Sequence, residues 1–514
     1  GQLPDKVWQF IKDEGFLGLI IPTEYGGKGF SARAHSRIVS KIASRSGTAA
    51  ISVMVPNSLG PAELLLKYGD DGQKQRYLPR LASGAEVPCF ALTNPFAGSD
   101  AAAIPDTGIV CRGTYDGEDV LGIRVTWEKR YITLAPIATL LGLAFHLYDP
   151  DGLLGDTEDV GITLALLPTD HPGVEIGRRH YPAGQPFQNG PNSGQDVFIP
   201  MDWVIGGSER CGDGWRMLMN CLAAGRSISL PGSSTAGLKV CARTTGAYAR
   251  VRKQFNLPIG KFEGVQEAIA RIVANTYLID SARDVTAGAL DSGEEPAVLS
   301  ALLKYQATER LRASLGDAMD VHGGRAICDG PSNYLMSAYT AAPVAITVEG
   351  ANILTRSLII FGQGAMRCHP WLLKEIAAAA ETDSPRAVDA FDRALFGHIG
   401  RVLTNAARCF AKNATGGLIC ALKRFEDDGR PAMDLPVIEY AFENAMFAIQ
   451  RSLDDIIANL PSRTSAWILR ALVFPWGRRW RPASDKLAGR VSDLLVMSAE
   501  FRARLCAGTY FDPS

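Results

Sequence analysis

The sequence predicts an α+β protein in which helices flank a separate β domain, and three observations carry that prediction. Apolar residues recur at helical spacing over residues 1–88, at alternate positions between 89 and 207, and at helical spacing again from 208 onward. Gly, Pro, Asn and Asp punctuate the middle stretch at short intervals, as strands joined by tight turns require. A length of 514 residues is enough for several cores and an enclosed site.

In the first region, Val7, Phe10, Ile11 and Phe16 share one helix face after Leu3-Pro4, and the loop Glu24–Gly29 interrupts the pattern. A second helix is expected through Ile38, Ile42 and Ile51, and a third through Ala62, Leu65, Leu66 and Tyr68. In the second region, Leu121, Ile123, Val125 and Trp127 alternate with Gly122, Arg124 and Thr126. Ile162–Leu167, Val174–Ile176 and Asp196–Ile199 complete a set of short strands that suits a small β-barrel. Residues 208–375 read as a four-helix bundle. There Leu299, Leu302, Leu303, Leu311, Leu315 and Met319 make one stripe, Pro296 suits a first helical turn and Gly323-Gly324 a stop. Residues 376–514 are helical in pattern but richer in Arg, with prolines at 431, 436, 461, 475 and 482, and form an additional helical domain.

Several function classes lose support. The net charge of −1 gives no footprint for nucleic acid. Ten cysteines are scattered without a C-x-x-C pair, so no metal site is expected and buried thiols in a reducing compartment are. Cys368-His369 reads as helix-end packing before it reads as a nucleophile and base. The Rossmann, P-loop, nucleophile-elbow and zincin motifs are missing. The longest apolar run, Leu134–Leu147, falls short of the roughly 20 residues a membrane-spanning helix needs.

Three segments could carry chemistry. Cys89–Asp100 offers the Thr93 and Ser99 hydroxyls beside a permissive Gly98, although a bare strand and an Asn-Pro turn explain it too. Trp127–Thr133 places an aromatic ring and a hydroxyl two residues apart on one strand face, which suits a flat heterocycle or a barrel wall. Glu349 lies in the apolar stretch Ala345–Gly350, where burial would raise its pKa and make it a usable base; an ion pair with an arginine such as Arg356 is the other reading.

Six blocks in order resemble the acyl-CoA dehydrogenase family. They are residues 68–81, Ala91–Asp100, Lys129–Thr133, Arg252–Phe255, His322–Gly324 and Val348–Asn352. The long tail is similar to that of the large bacterial long-chain enzymes of fatty-acid β-oxidation. The resemblance implies FAD between the β domain and the bundle. Phe90, Ala91, Leu92 and Thr93 would line the flavin, and Tyr131, Ile132 and Thr133 would cover its other side. Ser99 would touch cofactor or CoA pantetheine, and Arg226 and Gly350 the acyl-CoA. Arg252 and Gln266 would reach a neighbouring subunit's FAD, Gly323 and Gly324 its diphosphate or adenosine end, and Ala351 and Asn352 the cofactor beside the base. Departures from the family pattern fall at Asn94, Gln254, Asn256, Asp320 and Ala326.

By the same resemblance, Glu349 removes the proton next to the thioester carbonyl and hydride leaves the β-carbon for the flavin, giving a trans-2-enoyl-CoA. Electron-transferring flavoprotein is the implied acceptor, a homodimer the implied minimum, and the cytoplasm the expected compartment. Trp476–Arg481, with two Trp interleaved with Arg, suggests either peripheral contact with the inner face of a bacterial membrane or an inward-packed loop. A non-catalytic scaffold of the same fold is the rival from another class. Further sequence is expected before residue 1, after residue 514 and near Gly417-Leu418.

Overall fold

The computed structural model describes residues 2–58, 60–363, 369–381 and 384–414. The chain divides into two compact units, residues 1–366 and 367–514.

The first unit opens with five helices: α1 (Asp5–Asp13), α2 (Ala32–Ala43), α3 (Gly47–Met54), α4 (Pro61–Tyr68) and α5 (Asp71–Ser83). The single helix expected through Ile38 and Ile51 is two. Ser46 breaks it by accepting a hydrogen bond from the Ala49 N–H, the capping use of serine that starts a new helix.

Seven strands follow: β1 (Pro88–Ala91), β2 (Thr107–Tyr115), β3 (Glu118–Thr133), β4 (Leu140–Tyr148), β5 (Asp159–Pro168), β6 (Val174–Ile176) and β7 (Asn189–Pro200). They form one curled sheet in the order β1-β4-β2-β3-β7-β6, with β5 also on β4, so β1, β5 and β6 each pair with one strand only. On β4, Leu141, Leu143, Phe145 and Leu147 point into the curl with Val110, Ile123, Val125 and Ile199. Leu140 and Ala144 face the other way, against Leu65 and Leu78 of the helices. A strand covered on both faces must be apolar throughout, which explains the unbroken run in the sequence. Gly194 of β7 lies opposite Trp127, whose ring would stand 2.2 Å from any Cβ there.

The remaining helices are α6 (Gly214–Val251), α7 (Glu263–Asp291), α8 (Ala297–His322), α9 (Gly324–Ile327), α10 (Met336–Thr347) and α11 (Asn352–Leu354), the last running into a π-helical stretch, Thr355–Gln363. A two-stranded hairpin, β8 (Lys253–Gln254) and β9 (Leu257–Pro258), joins α6 to α7. Helices α6, α7 and α8 pack together through Cys241, Ile272, Leu315 and Met319. Pro296 is the residue before α8 and not in its first turn, while Gly323 ends the helix as expected with φ of 58°. Leu299 and Leu302 are each 42% exposed, against the expected stripe, because Ser300, Lys304 and Thr308 occupy the inner face. The second unit shows two helices, Leu372–Ala379 and Ser384–Ala414. There the His369 Nδ1 accepts from the Leu372 N–H at 3.1 Å and caps the first of them. Cys368, the Gly417 junction and Trp476–Arg481 lie outside the described residues.

Candidate active site

Helix α10 stops at Thr347 and the chain turns sharply. Glu349 and Gly350 both adopt left-handed backbone, with φ of 55° and 87°. Glycine does this freely, but a residue with a Cβ loses roughly 1–2 kcal/mol there. The turn persists because neighbouring helices hold it. From α6, the Arg226 Nε donates to the Glu349 carbonyl oxygen at 2.9 Å. From α8, the Lys304 Nζ donates to the carbonyl oxygens of Ile346 at 3.2 Å and Gly350 at 2.7 Å, and to the Asn352 Oδ1 at 2.7 Å. The Asn352 Nδ2 donates in turn to the Thr308 Oγ1 and the Glu309 Oε1, each at 2.9 Å. The Thr355 hydroxyl donates to the Gly350 carbonyl oxygen at 3.1 Å.

The Glu349 carboxylate has the unsatisfied atom of this group. Its Oε2 is buried and has no hydrogen-bond partner. Burial pushes the carboxyl up to about 7, against the opposing pull of the Arg226 and Lys304 charges. Burial also lowers Lys304, to about 8, and lowers Arg226. An arginine does approach Glu349, but it is Arg226 and not Arg356, and it bonds the backbone and not the carboxylate. A buried carboxylate with a free oxygen and a raised pKa is chemically a proton acceptor poised near neutrality.

A second group gathers where β1 leaves the sheet beside β3. The Lys129 Nζ, fully buried, donates to the Leu92 carbonyl oxygen at 3.0 Å and pairs with the Asp106 Oδ2 at 2.5 Å. The Asn94 Nδ2 bridges to the Asp106 Oδ1 and the Glu128 carbonyl oxygen, a donating role that a glutamate at this position would lack. The Arg130 N–H donates to the Thr93 carbonyl oxygen at 3.1 Å. Phe90 to Thr93 and Tyr131 to Thr133 are therefore neighbours. A register shift between Lys129 and Ile132 re-aims the second block: Trp127 and Lys129 point inward before it, Ile132 and Leu134 after it. Tyr131 is left at φ of 64°, 58% exposed, and Thr133 is half-buried. The Asn189 Nδ2 fixes both through the Tyr131 carbonyl oxygen and the Thr133 Oγ1.

The other expected residues lie on the surface of the chain. Ser99 is exposed after the Asn94–Ala97 bridge. Arg252 and Gln266 are exposed on either side of the β8–β9 hairpin, whose Phe255 is 89% exposed. Gly323 and Gly324 are exposed between α8 and α9, with nothing within 4 Å of a Cβ at either. Sequence reasoning missed Lys304, Thr308 and Asp106. The signal for the first two was present as Ser300, Lys304 and Thr308, a polar series at four-residue spacing along one face of the helix. Among the described residues no group of three or more His, Cys, Asp or Glu is placed to hold a metal ion. No single described helix is long and apolar enough to cross a membrane.

Family models match in succession along the chain: the acyl-CoA dehydrogenase N-terminal domain over residues 1–85, the middle domain over 89–191 and the C-terminal domain over 212–361. The bacterial-type acyl-CoA dehydrogenase C-terminal model matches residues 366–421 and 418–514. The chain belongs to the acyl-CoA dehydrogenase family. The bacterial-type match to this acyl-CoA dehydrogenase family member is in two pieces that overlap over residues 418–421, next to Gly417. The chain is 59% identical over 104 residues to a Proteus mirabilis protein named HemX, covering 20% of this chain and 61% of that protein. It is 29% identical over 326 residues to a Mycobacterium tuberculosis protein named as acyl-CoA dehydrogenase FadE10, covering 63% of this chain and 48% of that one. The chain thus spans less than two thirds of the length of each of these relatives. Among solved structures, an acyl-CoA dehydrogenase from Bacillus anthracis complexed with FAD superposes with a TM-score of 0.63 at 24% identity, over 73% of this chain and 64% of that one. That likeness establishes the acyl-CoA dehydrogenase fold.

Proposed function

We propose that this chain catalyses the FAD-dependent α,β-dehydrogenation of acyl-CoA, with Glu349 as the base that removes the α proton. The observation that carries the reading is the buried, unpartnered Oε2 of Glu349 in a turn fixed from α6 and α8. When bound, FAD would supply the acceptor for the hydride that leaves the β-carbon. The residues fit that group. Phe90, Leu92 and Thr93 are half-open beside an exposed Tyr131, and Arg252, Gln266, Gly323 and Gly324 present exposed polar or bare backbone surface.

The chain's own contribution is placement and electrostatics. Glu349 accepts the proton in its ionised form, which burial makes scarce below about pH 7. The thioester oxygen needs a donor as it gains charge, and the backbone N–H groups of the left-handed Glu349-Gly350 turn are the ones nearest the base in sequence. Arg226 and Lys304 add positive potential to the same place. The Asn352 amide is engaged by Lys304, Thr308 and Glu309, which fixes the segment after the base where Ala351 and Asn352 would meet the cofactor.

The same proposal includes long-chain acyl-CoA as substrate, fatty-acid β-oxidation as the pathway, electron-transferring flavoprotein as acceptor and a homodimer as the minimal assembly. It includes domain boundaries near residues 88, 207 and 375, and a cytoplasmic location with peripheral membrane contact through the tail. The dimer is supported by the apolar tip of the β8–β9 hairpin, where Val251, Phe255 and Leu257 are exposed. Anaerobic titration of the flavin-loaded protein with acyl-CoA of four to sixteen carbons is the test. Bleaching of the flavin absorbance is expected, strongest with the long chains. A protein that cannot be loaded with FAD, or a loaded one that no acyl-CoA bleaches, would reject the assignment; rapid peroxide formation under air would replace the proposed acceptor with oxygen.

A further inference from the structure

We propose that Lys304 is a positioning residue for Glu349: its buried ammonium clips the 346–352 turn into the shape that presents the carboxylate and, as the cation contributed by α8, favours the ionised form. This rests on the reading of Glu349 as the base. Lys304 is fully buried, and an ammonium taken out of water is costly unless every donor is used. All three of its N–H groups find acceptors, and all three acceptors belong to one seven-residue segment. Ile346 precedes Glu349, while Gly350 and Asn352 follow it, so the ammonium ties together the two strands of chain that leave the base. Without that tie, α8 would hold the turn only through the Asn352 side chain, after the two left-handed residues, and would bond neither Ile346 nor Gly350.

The contacts also leave a charge over. Two acceptors are carbonyl oxygens and the third is an amide oxygen, all neutral. The carboxylate has Arg226 facing it from α6 and Lys304 from α8. Glu309, also on α8, acts on Lys304 but is itself paired with Arg312 at 2.6 Å. No carboxylate is hydrogen-bonded to Lys304, and Glu349, ahead of Glu309, is the acidic group its charge acts on most.

The test uses the full-length, flavin-loaded protein with palmitoyl-CoA and a dye acceptor, comparing Lys304→Met, Asn352→Ala and Glu349→Gln. Lys304→Met should keep bound flavin, lose about ten- to a hundredfold in kcat with a smaller change in KM, and shift the acid limb of kcat/KM to higher pH. A folded Lys304→Met with the parent kcat and the parent acid limb would overturn the proposal. If Lys304→Met does not fold, Asn352→Ala decides, because it cuts one tie and leaves the charge. A lower kcat with an unmoved acid limb is then expected, and an unchanged kcat overturns it. Glu349→Gln at full rate would sink the base assignment itself. An inactive Glu349→Gln beside an unaffected Lys304→Met would sink the role of Lys304 alone.

Discussion

Two lysines, Lys129 in β3 and Lys304 in α8, have no exposed surface, yet the molecule holds them in opposite ways. Lys129 meets a carboxylate head-on at 2.5 Å, and the other oxygen of Asp106 takes the Asn94 side chain and the Glu128 N–H. Charge and hydrogen bonds close within that pair, which pins the segment after β1 to β3. Lys304 meets only neutral oxygens, and its charge stays open toward a carboxylate in the turn it holds. A closed pair serves as a fastener. An open one leaves a field, and a field inside a low-dielectric site can act on chemistry.

The comparison can be broken most severely at Glu349. Glu349→Gln should lower kcat by about 10²–10⁴-fold with flavin still bound, measured by anaerobic stopped-flow reduction. In the parent enzyme kcat/KM should rise with pH through about 7, because only the ionised carboxylate accepts a proton. Next in size is the closed pair. Asp106→Asn should cost about 3–5 kcal/mol in denaturant unfolding by stranding the Lys129 charge. Adding Lys129→Met to it should recover a large part of that loss; failure to recover would show that the pair does more than close its own charge.

The third test reads the open site as a stability cost. Glu349 has a folded pKa of about 7, raised from 4.5, so the folded state binds this proton more tightly than the unfolded chain. Stability is therefore fullest below about pH 4.5 and falls as pH rises through 7. Glu349→Gln escapes that fall. Its melting temperature should exceed the parent's at pH 8, by the equivalent of up to about 3 kcal/mol, with the gap closing at pH 5. The smallest effect is at Gly350, where φ is 87° and a Cβ would lie 3.2 Å from the Thr355 Oγ1. Gly350→Ala should cost about 1–2 kcal/mol by chemical denaturation.

Most of the architecture was legible because it rests on periodicity. The change from helical to alternating spacing near residue 89 coincides with β1, and Gly323 ends α8. The failures have a common cause: an apolar count does not see polar interiors. On α8 the leucine stripe predicted burial for Leu299 and Leu302, while Ser300, Lys304 and Thr308 took the inner face, where the last two support the turn. Glu349 itself was visible as a carboxylate among apolar residues. Its partners were not, since Arg226 and Lys304 come from helices 123 and 45 residues away in sequence, and no local pattern records such a meeting. The bulge that turns Tyr131 outward was equally hidden, because a two-residue alternation assumes that the register never slips.

The trio of Arg226, Lys304 and ionised Glu349 has a consequence for the proposed reaction. Below about pH 8, where Lys304 keeps its proton, the three groups together carry one positive charge. When the substrate's α proton arrives on the carboxylate, their sum becomes two, but one negative charge has moved onto the thioester oxygen at the same moment. The total inside the enclosure is conserved. No counter-ion has to enter from solvent, and the fixed guanidinium and ammonium face the same sum before and after. The turn thus behaves as a constant-charge cell, in which an anion changes its address while the dipoles around it have little reason to reorient.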